Sequence, residues 1–275
     1  MMPLKARINS DGTTTFSESG SDVYTQRVTC RACKHIQLDD ILDLGDQYLV
    51  NFVKEIDFNL PKAPLVLVRC ARCGLLQLKH TTNPDLLFKH FWYRTGINET
   101  MRLAMEDIVN CGYMFQQDGV WLDIGANDGY LLSKVPNSFV KIACEPAKNL
   151  EHELKAIADV TISDYFSSRH DALYDGNGVG RCSVVTSAAM FYDVDDPSEF
   201  IKSVVKVLSD DGVWINQLND APTMMNQNAF DAICHEHLCY YDLGSLNELY
   251  DANGLSIIAV SYNDVNGGSM RVVAR

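Results

Sequence analysis

The sequence predicts an α/β fold: a doubly wound, mainly parallel sheet preceded by a small cysteine-bearing domain. Three observations predict it. Between Gly119 and Leu132 an apolar segment, Val120-Trp121-Leu122, runs into a glycine loop and on into a helical pattern. That strand–turn–helix sets a ligand at the carboxyl edge of a parallel sheet. Further apolar segments at Val140–Cys144, Val160–Ser163, Ser183–Ser187 and Gly212–Ile215 are separated by helix-length stretches, which is the alternation of a parallel sheet. Ahead of them, two C-x-x-C pairs, Cys30/Cys33 and Cys70/Cys73, read as a metal-binding unit.

At 275 residues the chain has room for one large domain and a small one. The formal charge of −13 argues against a polyanion-binding surface, so no nucleic-acid partner is expected. No run of about eighteen apolar residues is present, and the first residues lack the basic-then-apolar order of a secretion signal. No membrane span and a cytoplasmic location are therefore expected. Nine cysteines, an odd number, then point to reduced thiols and metal rather than disulfides.

Residues 1–24 are rich in Ser, Thr, Gly and Asp and show no apolar period. They read as a flexible lead-in or a loose edge strand. The next unit, 25–80, carries the cysteines. Each C-x-x-C closes a tight turn with both sulfurs facing one point, and two such turns supply the thiolate tetrahedron that structural Zn²⁺ prefers. Four protein ligands leave no open position, so the predicted role of the metal is structural. His35 and His80 read as surface groups or neighbours of the metal site. Pro64–Val68 reads as the strand delivering Cys70. The order C-x-x-C, then Leu44-Gly45 to Asn51-Phe52, then C-x-x-C-Gly-Leu-x-Gln-Leu ending at Leu78 resembles the zinc-binding amino-terminal domain of the sugar C-methyltransferases. Those enzymes act on nucleotide-linked 4-keto-6-deoxy sugars.

Residues 81–117 are expected to be linking helices and a cover over the active site. Met101, Met105, Ile108 and Val109 keep a helical period, with Asn98 or Thr100 as cap. Phe91 and Trp92 read as packing between the two domains. The resemblance implies that a Tyr-containing segment followed by Ser/Thr-Gly-x-Asn covers the site, which makes Tyr93 and Asn98 candidates.

Residues 118–275 are read as the catalytic domain. Its glycine loop is D-x-G-x-N-D-G, from Asp123 through Gly125, Asn127 and Asp128 to Gly129. A nicotinamide site wants glycines in G-x-G-x-x-G. Here they are four apart, and two carboxylates would repel a pyrophosphate while suiting a cationic sulfonium. The loop resembles the first motif of class I S-adenosylmethionine (SAM)-dependent methyltransferases. The implied fold is the Rossmann-like one with a mainly parallel seven-stranded sheet. Glu145 ends the second strand about twenty residues beyond the first strand's acid, where it can take both ribose hydroxyls. Asp164 is placed to meet the adenine amino group with Tyr165 or Phe166 beside the ring; a loop acid and core aromatics is the other reading. Ser187 ends the fourth strand, whose following loop approaches the methyl group in that fold and carries Phe191-Tyr192-Asp193 where family members have a histidine. Tyr192 is therefore a substrate candidate. The next helix is expected over Pro197–Leu208, and the fifth strand opens on Asn216 and Gln217, also substrate candidates.

The stretch Phe230–Tyr241 contains His235-Glu236-His237. A zinc protease requires H-E-x-x-H, so that reading fails. Histidine near neutral pKa can remove and return protons. The resemblance, in which the family has Tyr-His-Glu-His-x-x-Tyr with Cys234 here at the first tyrosine, implies that His237 removes the proton α to a ketone. The enolate carbon then attacks the methyl group, with Glu236 and His235 positioning sugar or base. Leu255–Val260 and Ser269–Val273 read as the sixth and seventh strands, joined by Asn266-Gly267-Gly268-Ser269, similar to the family's His-Gly-Gly-Ser substrate turn. Family members continue into a further carboxyl-terminal domain. Its absence here implies a second copy or partner subunit at the substrate, a substrate other than a free nucleotide sugar, or a shortened relative of the family. The alternatives are an O- or N-methyltransferase on a small molecule or sugar, and a non-catalytic zinc-stabilised binding or assembly protein.

Overall fold

The computed structural model describes residues 5–8, 14–18, 21–49, 60–174 and 178–275. The Leu44–Phe52 signature thus lies partly outside the described residues. Strands β1 (Lys5–Ile8), β2 (Thr14–Glu18) and β3 (Ser21–Gln26) form an antiparallel ribbon. Strands β4 (Leu38–Tyr48), β5 (Lys62–Cys70) and β6 (Leu76–Leu78) form a second antiparallel sheet. β7 (His80–Thr82) extends the first ribbon, with Tyr24 opposite Thr82. The described residues among the first 24 thus pair as strands, which is nearer the edge-strand reading than the flexible lead-in. Their pairing partner lies far along the chain, so no local period announces it.

Helix α1 (Pro84–Phe88) starts at Asn83, whose side chain accepts from Asp85 N at 3.0 Å. Helix α2 (Glu99–Phe115) is capped by Asn98, which accepts from Thr100 N at 2.9 Å. Its buried face, Met101, Ala104, Met105, Ile108, Val109 and Gly112, has the expected helical spacing.

The central sheet follows. Its elements in order are β8 (Gly119–Ile124), α3 (Tyr130–Lys134), β9 (Phe139–Cys144), α4 (Glu151–Leu154), β10 (Val160–Ile162), β11 (Cys182–Ala188), α5 (Pro197–Val207) and β12 (Leu208–Asn219). The chain then forms α6 (Ala221–Asn226), β13 (Cys239–Tyr240), α7 (Leu243–Asp251), β14 (Ile257–Asn263) and β15 (Ser269–Ala274). Seven strands lie in the order β10-β9-β8-β11-β12-β15-β14, and β15 alone runs against the others. The strand order reverses between β8 and β11, so the glycine loop after β8 faces the crevice where doubly wound sheets bind ligands. Two core clusters flank this sheet. On one side, buried Phe191 packs edge-on against Trp214 at 5.3 Å and stacks on Tyr241 at 5.4 Å. On the other, α2 lies on Trp121, whose Nε1 donates to Thr186 Oγ1 at 3.1 Å.

The expected boundary near residue 80 is bridged. β13, immediately after His235-Glu236-His237, pairs antiparallel with β6, with Cys239 opposite Gln77. Leu78 N also donates to Leu238 O at 2.9 Å. The cysteine-bearing sheet takes its fourth strand from the catalytic domain, so the two units share a ladder.

Candidate active site and metal centre

The four cysteine sulfurs lie within 4.8 Å of one another. Cys30 Sγ is 3.6 Å from Cys73 Sγ, and Cys33 Sγ is 3.5 Å from Cys70 Sγ. Thiolates at about 2.3 Å from Zn²⁺ stand about 3.8 Å apart in a tetrahedron, so the cluster fits that ion. The bond to Cys73 is the main cause that lowers the Cys30 thiol to about 4, aided by Gln77, whose Nε2 donates to Cys30 Sγ at 3.2 Å.

From the turn between the first two cysteines, the knuckle reaches the active site. Arg31 is fully buried. Its Nε donates to Asp195 Oδ1 at 3.2 Å, its Nη2 to Thr81 Oγ1 at 2.7 Å and its Nη1 to Leu78 O. Arg27 holds the other Asp195 oxygen at 3.0 Å. Asp195 belongs to the loop after β11, so two arginines of the knuckle domain clasp that loop. Sequence reasoning missed this clasp, since nothing in C-R-A-C marks its arginine's partner.

A cavity of about 700 Å³ opens between the sheet edge, the aromatic cover and the knuckle domain. Of the residues expected there, Tyr93, Asp123, Gly125, Asn127, Glu145, Tyr165, Phe166, Tyr192, His235, Glu236, His237 and Asn266 line it. Glu145 is buried, and each of its oxygens accepts a backbone bond, from Asn127 N at 2.9 Å and Ala147 N at 2.8 Å. These bonds fix the carboxylate and leave one lone pair per oxygen. Burial raises its pKa. Asp123 accepts from Thr186 Oγ1 at 2.7 Å, and burial raises its carboxyl to about 7. Gly125 sits at φ +73°, a left-handed conformation that glycine adopts without strain, and its N–H bonds Cys144 O at 2.9 Å across the strand ends.

Asn127 and Asp128 act differently from the expectation. Asn127 Oδ1 accepts from Thr95 N at 2.9 Å, its Nδ2 donates to Tyr93 O at 3.0 Å, and Asp128 Oδ2 accepts from Gly96 N at 2.8 Å. Both side chains pin the cover segment to the glycine loop. Gly129 packs its bare Cα against Leu154 and Ile157; a Cβ there would lie 2.9 Å from Ile157 Cδ1.

Several expected residues are engaged elsewhere. Asn98 is the α2 cap described above, outside the cavity lining. Asp164 pairs with Arg169 at 3.2 Å and accepts from Tyr165 N at 2.8 Å, and it lies outside the cavity lining. Ser187 accepts from Trp214 Nε1 at 2.9 Å and donates to Asn216 Oδ1 at 3.0 Å; Asn216 Nδ2 donates to Tyr250 OH at 2.8 Å. Gln217 accepts from Arg271 Nε at 2.9 Å. These polar side chains of β11 and β12 are satisfied inside the core, by one another and by Trp214, Tyr250 and Arg271, and do not line the cavity. Gly267 and Gly268 form the turn against Gln227 and Thr223, and of that motif Asn266 faces the cavity.

The H-E-H stretch divides in three. His235 is buried and its Nε2 meets Ala63 O at 3.0 Å, so it anchors the stretch to the knuckle domain. Glu236 lines the cavity with its pKa raised by burial. His237 Nδ1 lies 2.8 Å from Ala232 O. A carbonyl only accepts, so Nδ1 carries the hydrogen and Nε2 is the basic atom of the neutral ring. Burial lowers the His237 pKa, which keeps the ring neutral. Tyr192 packs edge-on against it at 4.5 Å and fixes its plane.

A family model described as "Methyltransferase domain" matches residues 97–260, and one described as "Putative zinc binding domain" matches residues 30–88. The chain is 29% identical over 254 residues to C-methyltransferase NovU of Streptomyces niveus, a match covering 89% of this chain and 60% of that protein. It thus spans about 60% of that relative's length. Magnesium protoporphyrin IX methyltransferase of Synechocystis PCC 6803, solved with bound S-adenosylhomocysteine (SAH), aligns with 11% identity and a TM-score of 0.48, over 64% of this chain and 87% of the other. The mitomycin 7-O-methyltransferase MmcR aligns with 15% identity and a TM-score of 0.48, over 64% of this chain and 54% of the other. The match over 97–260, together with the sheet order, shows that the chain belongs to the methyltransferase domain family, on a class I methyltransferase fold with a four-cysteine zinc-binding domain in front of it.

Proposed function

We propose that the chain catalyses SAM-dependent C-methylation of a nucleotide-linked keto-deoxy sugar, with His237 as the base. The observation that carries the reading is the histidine itself: a neutral ring, tied at Nδ1 to Ala232 O, in the wall of the cavity that also holds Asp123 and Glu145. The similarity to a protein named as a C-methyltransferase supports it.

SAM, when bound, supplies an electrophilic methyl group. Glu145 offers its two remaining lone pairs to the ribose hydroxyls, Asp123 balances positive charge, and Tyr165 and Phe166 flank the adenine. His237 Nε2 takes the proton α to the substrate ketone, and the carbon left behind takes the methyl group. Tyr93 and the cover segment exclude water. Among the described residues no lysine or arginine lines the cavity. The uncharged sugar ring therefore enters, and the nucleotide diphosphate stays outside.

The test is incubation of the zinc-loaded protein with SAM and nucleotide-linked 4-keto-6-deoxy sugars in deuterated water. The reading expects a new carbon-bound methyl group and deuterium incorporation beside the ketone, both lost in His237→Ala. A methyl group on oxygen or nitrogen, without deuterium incorporation, contradicts it and favours an O- or N-methyltransferase.

A further inference from the structure

The loop after β11 carries three acids beyond Tyr192, and two have evident duties. Asp195 is clasped by Arg27 and Arg31. Asp196 caps α5, accepting from Glu199 N at 3.2 Å, and pairs with Lys34 at 3.1 Å. Asp193 has neither duty. Its Oδ1 is buried with no hydrogen-bond partner among the described residues, yet the residue lines the cavity beside Tyr192 and His237. A buried carboxylate oxygen without a partner is costly unless the group is neutral or a ligand completes it.

We propose that Asp193 keeps its proton and donates it as a hydrogen bond to the substrate oxygen on which negative charge develops. This inference rests on the enolate reading above. Removing a proton α to a ketone puts charge on the ketone oxygen, and among the described residues no arginine or lysine lines the cavity to meet it. A neutral carboxylic acid is a strong donor for that oxygen. No bond to hydrogen breaks at Asp193, because the proton leaving carbon goes to His237.

The surroundings favour the neutral acid. Burial, and then repulsion from Glu236, push the Asp193 pKa well up. From its own turn it interacts with Tyr192, and from the stretch around H-E-H with Cys234, Glu236 and Tyr240. Tyr192, Tyr93 and Cys234 are all raised and His237 is lowered, so the set is uncharged apart from the carboxyls. Asp195, nearest in sequence, is neutralised by its two arginines. Among the described residues no group of three or more metal-ligating side chains gathers here.

Two measurements test this. Infrared difference spectra of the zinc-loaded protein against Asp193→Asn, with isotope-labelled aspartate, read the protonation state without any substrate. A protonated carboxyl band at neutral pH that vanishes in Asp193→Asn is the expected result, and an ionised Asp193 overturns the proposal. The second measures deuterium incorporation into whichever keto sugar the wild type accepts. Asp193→Asn, which keeps a donor, should stay within about tenfold of wild type, and Asp193→Ala should lose about a hundredfold or more, with SAH binding unchanged in both. Equal losses overturn the proposal. A wild type that exchanges no ketone refutes the enolate reading instead, and the proposal's donor role with it, while the infrared result still decides the protonation state.

Discussion

Replacing Arg31 by methionine should loosen the clasp between the knuckle domain and the active-site loop. The guanidinium is fully buried, and its removal leaves Leu78 O without its donor and Asp195 with one arginine instead of two. An unsatisfied buried acceptor costs about 1–3 kcal/mol. Breaking a fully buried ion pair costs about 3–5 kcal/mol, but here the Asp195 side chain is 41% exposed and keeps Arg27, so about 1 kcal/mol is the discounted share. The methionine stem preserves most of the packing. The sum is about 3 kcal/mol, which for a chain of this size lowers the melting temperature by roughly 6–10 °C. Arg27→Met should cost about 1 kcal/mol, because Arg31 remains. The assay is urea and thermal unfolding of the zinc-loaded proteins, with SAH binding measured alongside. Since Arg31 does not line the cavity, SAH affinity should stay within about threefold of wild type. An Arg31→Met protein as stable as wild type would refute the claim that the clasp joins the two units.

Three other outcomes follow from the same geometry. The Asp123 carboxyl is raised to about 7, so if only its ionised form favours the sulfonium charge, SAM affinity should fall roughly tenfold from pH 8 to pH 6. In the cofactor-free protein the sign is opposite: the native state holds more protons than the unfolded one between about pH 4 and 7, so stability falls as pH rises through that window. Asp123→Asn should flatten both profiles, read by calorimetry and unfolding across pH. Cys70→Ser should abolish zinc retention, measured by elemental analysis, and reduce methyl transfer far more than SAH binding, since the metal sheet holds the H-E-H end of the cavity through β13. Gly112→Ala should destabilise by about 2 kcal/mol despite the better helix propensity, because its Cβ would lie 2.3 Å from Trp121 Cη2 and that ring is pinned by Thr186 and Phe139. Denaturant unfolding gives that number directly.

Much of the catalytic domain was legible because its signals are local. The apolar strands, the left-handed glycine at 125, the Asn98 cap and the paired cysteines each depend on neighbours within a few residues. What escaped depends on partners far along the chain. The pairing of β3 with β7 and of β13 with β6 leaves no trace in composition. Arg31 and Asp195 are unremarkable surface residue types until the fold brings them together. The polar ends of β11 and β12 misled for a related reason. Ser187 and Asn216 stand where strands open onto a cleft, but their side chains alternate into the sheet's packed face and bond Trp214 and Tyr250. Asn127 and Asp128 sit in the expected loop, and their polar side chains hold the cover segment at Tyr93, Thr95 and Gly96.

The central claim is that the crevice beyond β8 and β9 is a cofactor site built on Glu145. Isothermal titration of the zinc-loaded protein with SAH, beside Glu145→Ala, tests it most directly. Saturable one-to-one binding is expected, weakened at least about thirtyfold in the variant, as two charge-assisted hydrogen bonds are lost. An absence of binding to the wild type, or binding that Glu145→Ala leaves unchanged, would contradict it.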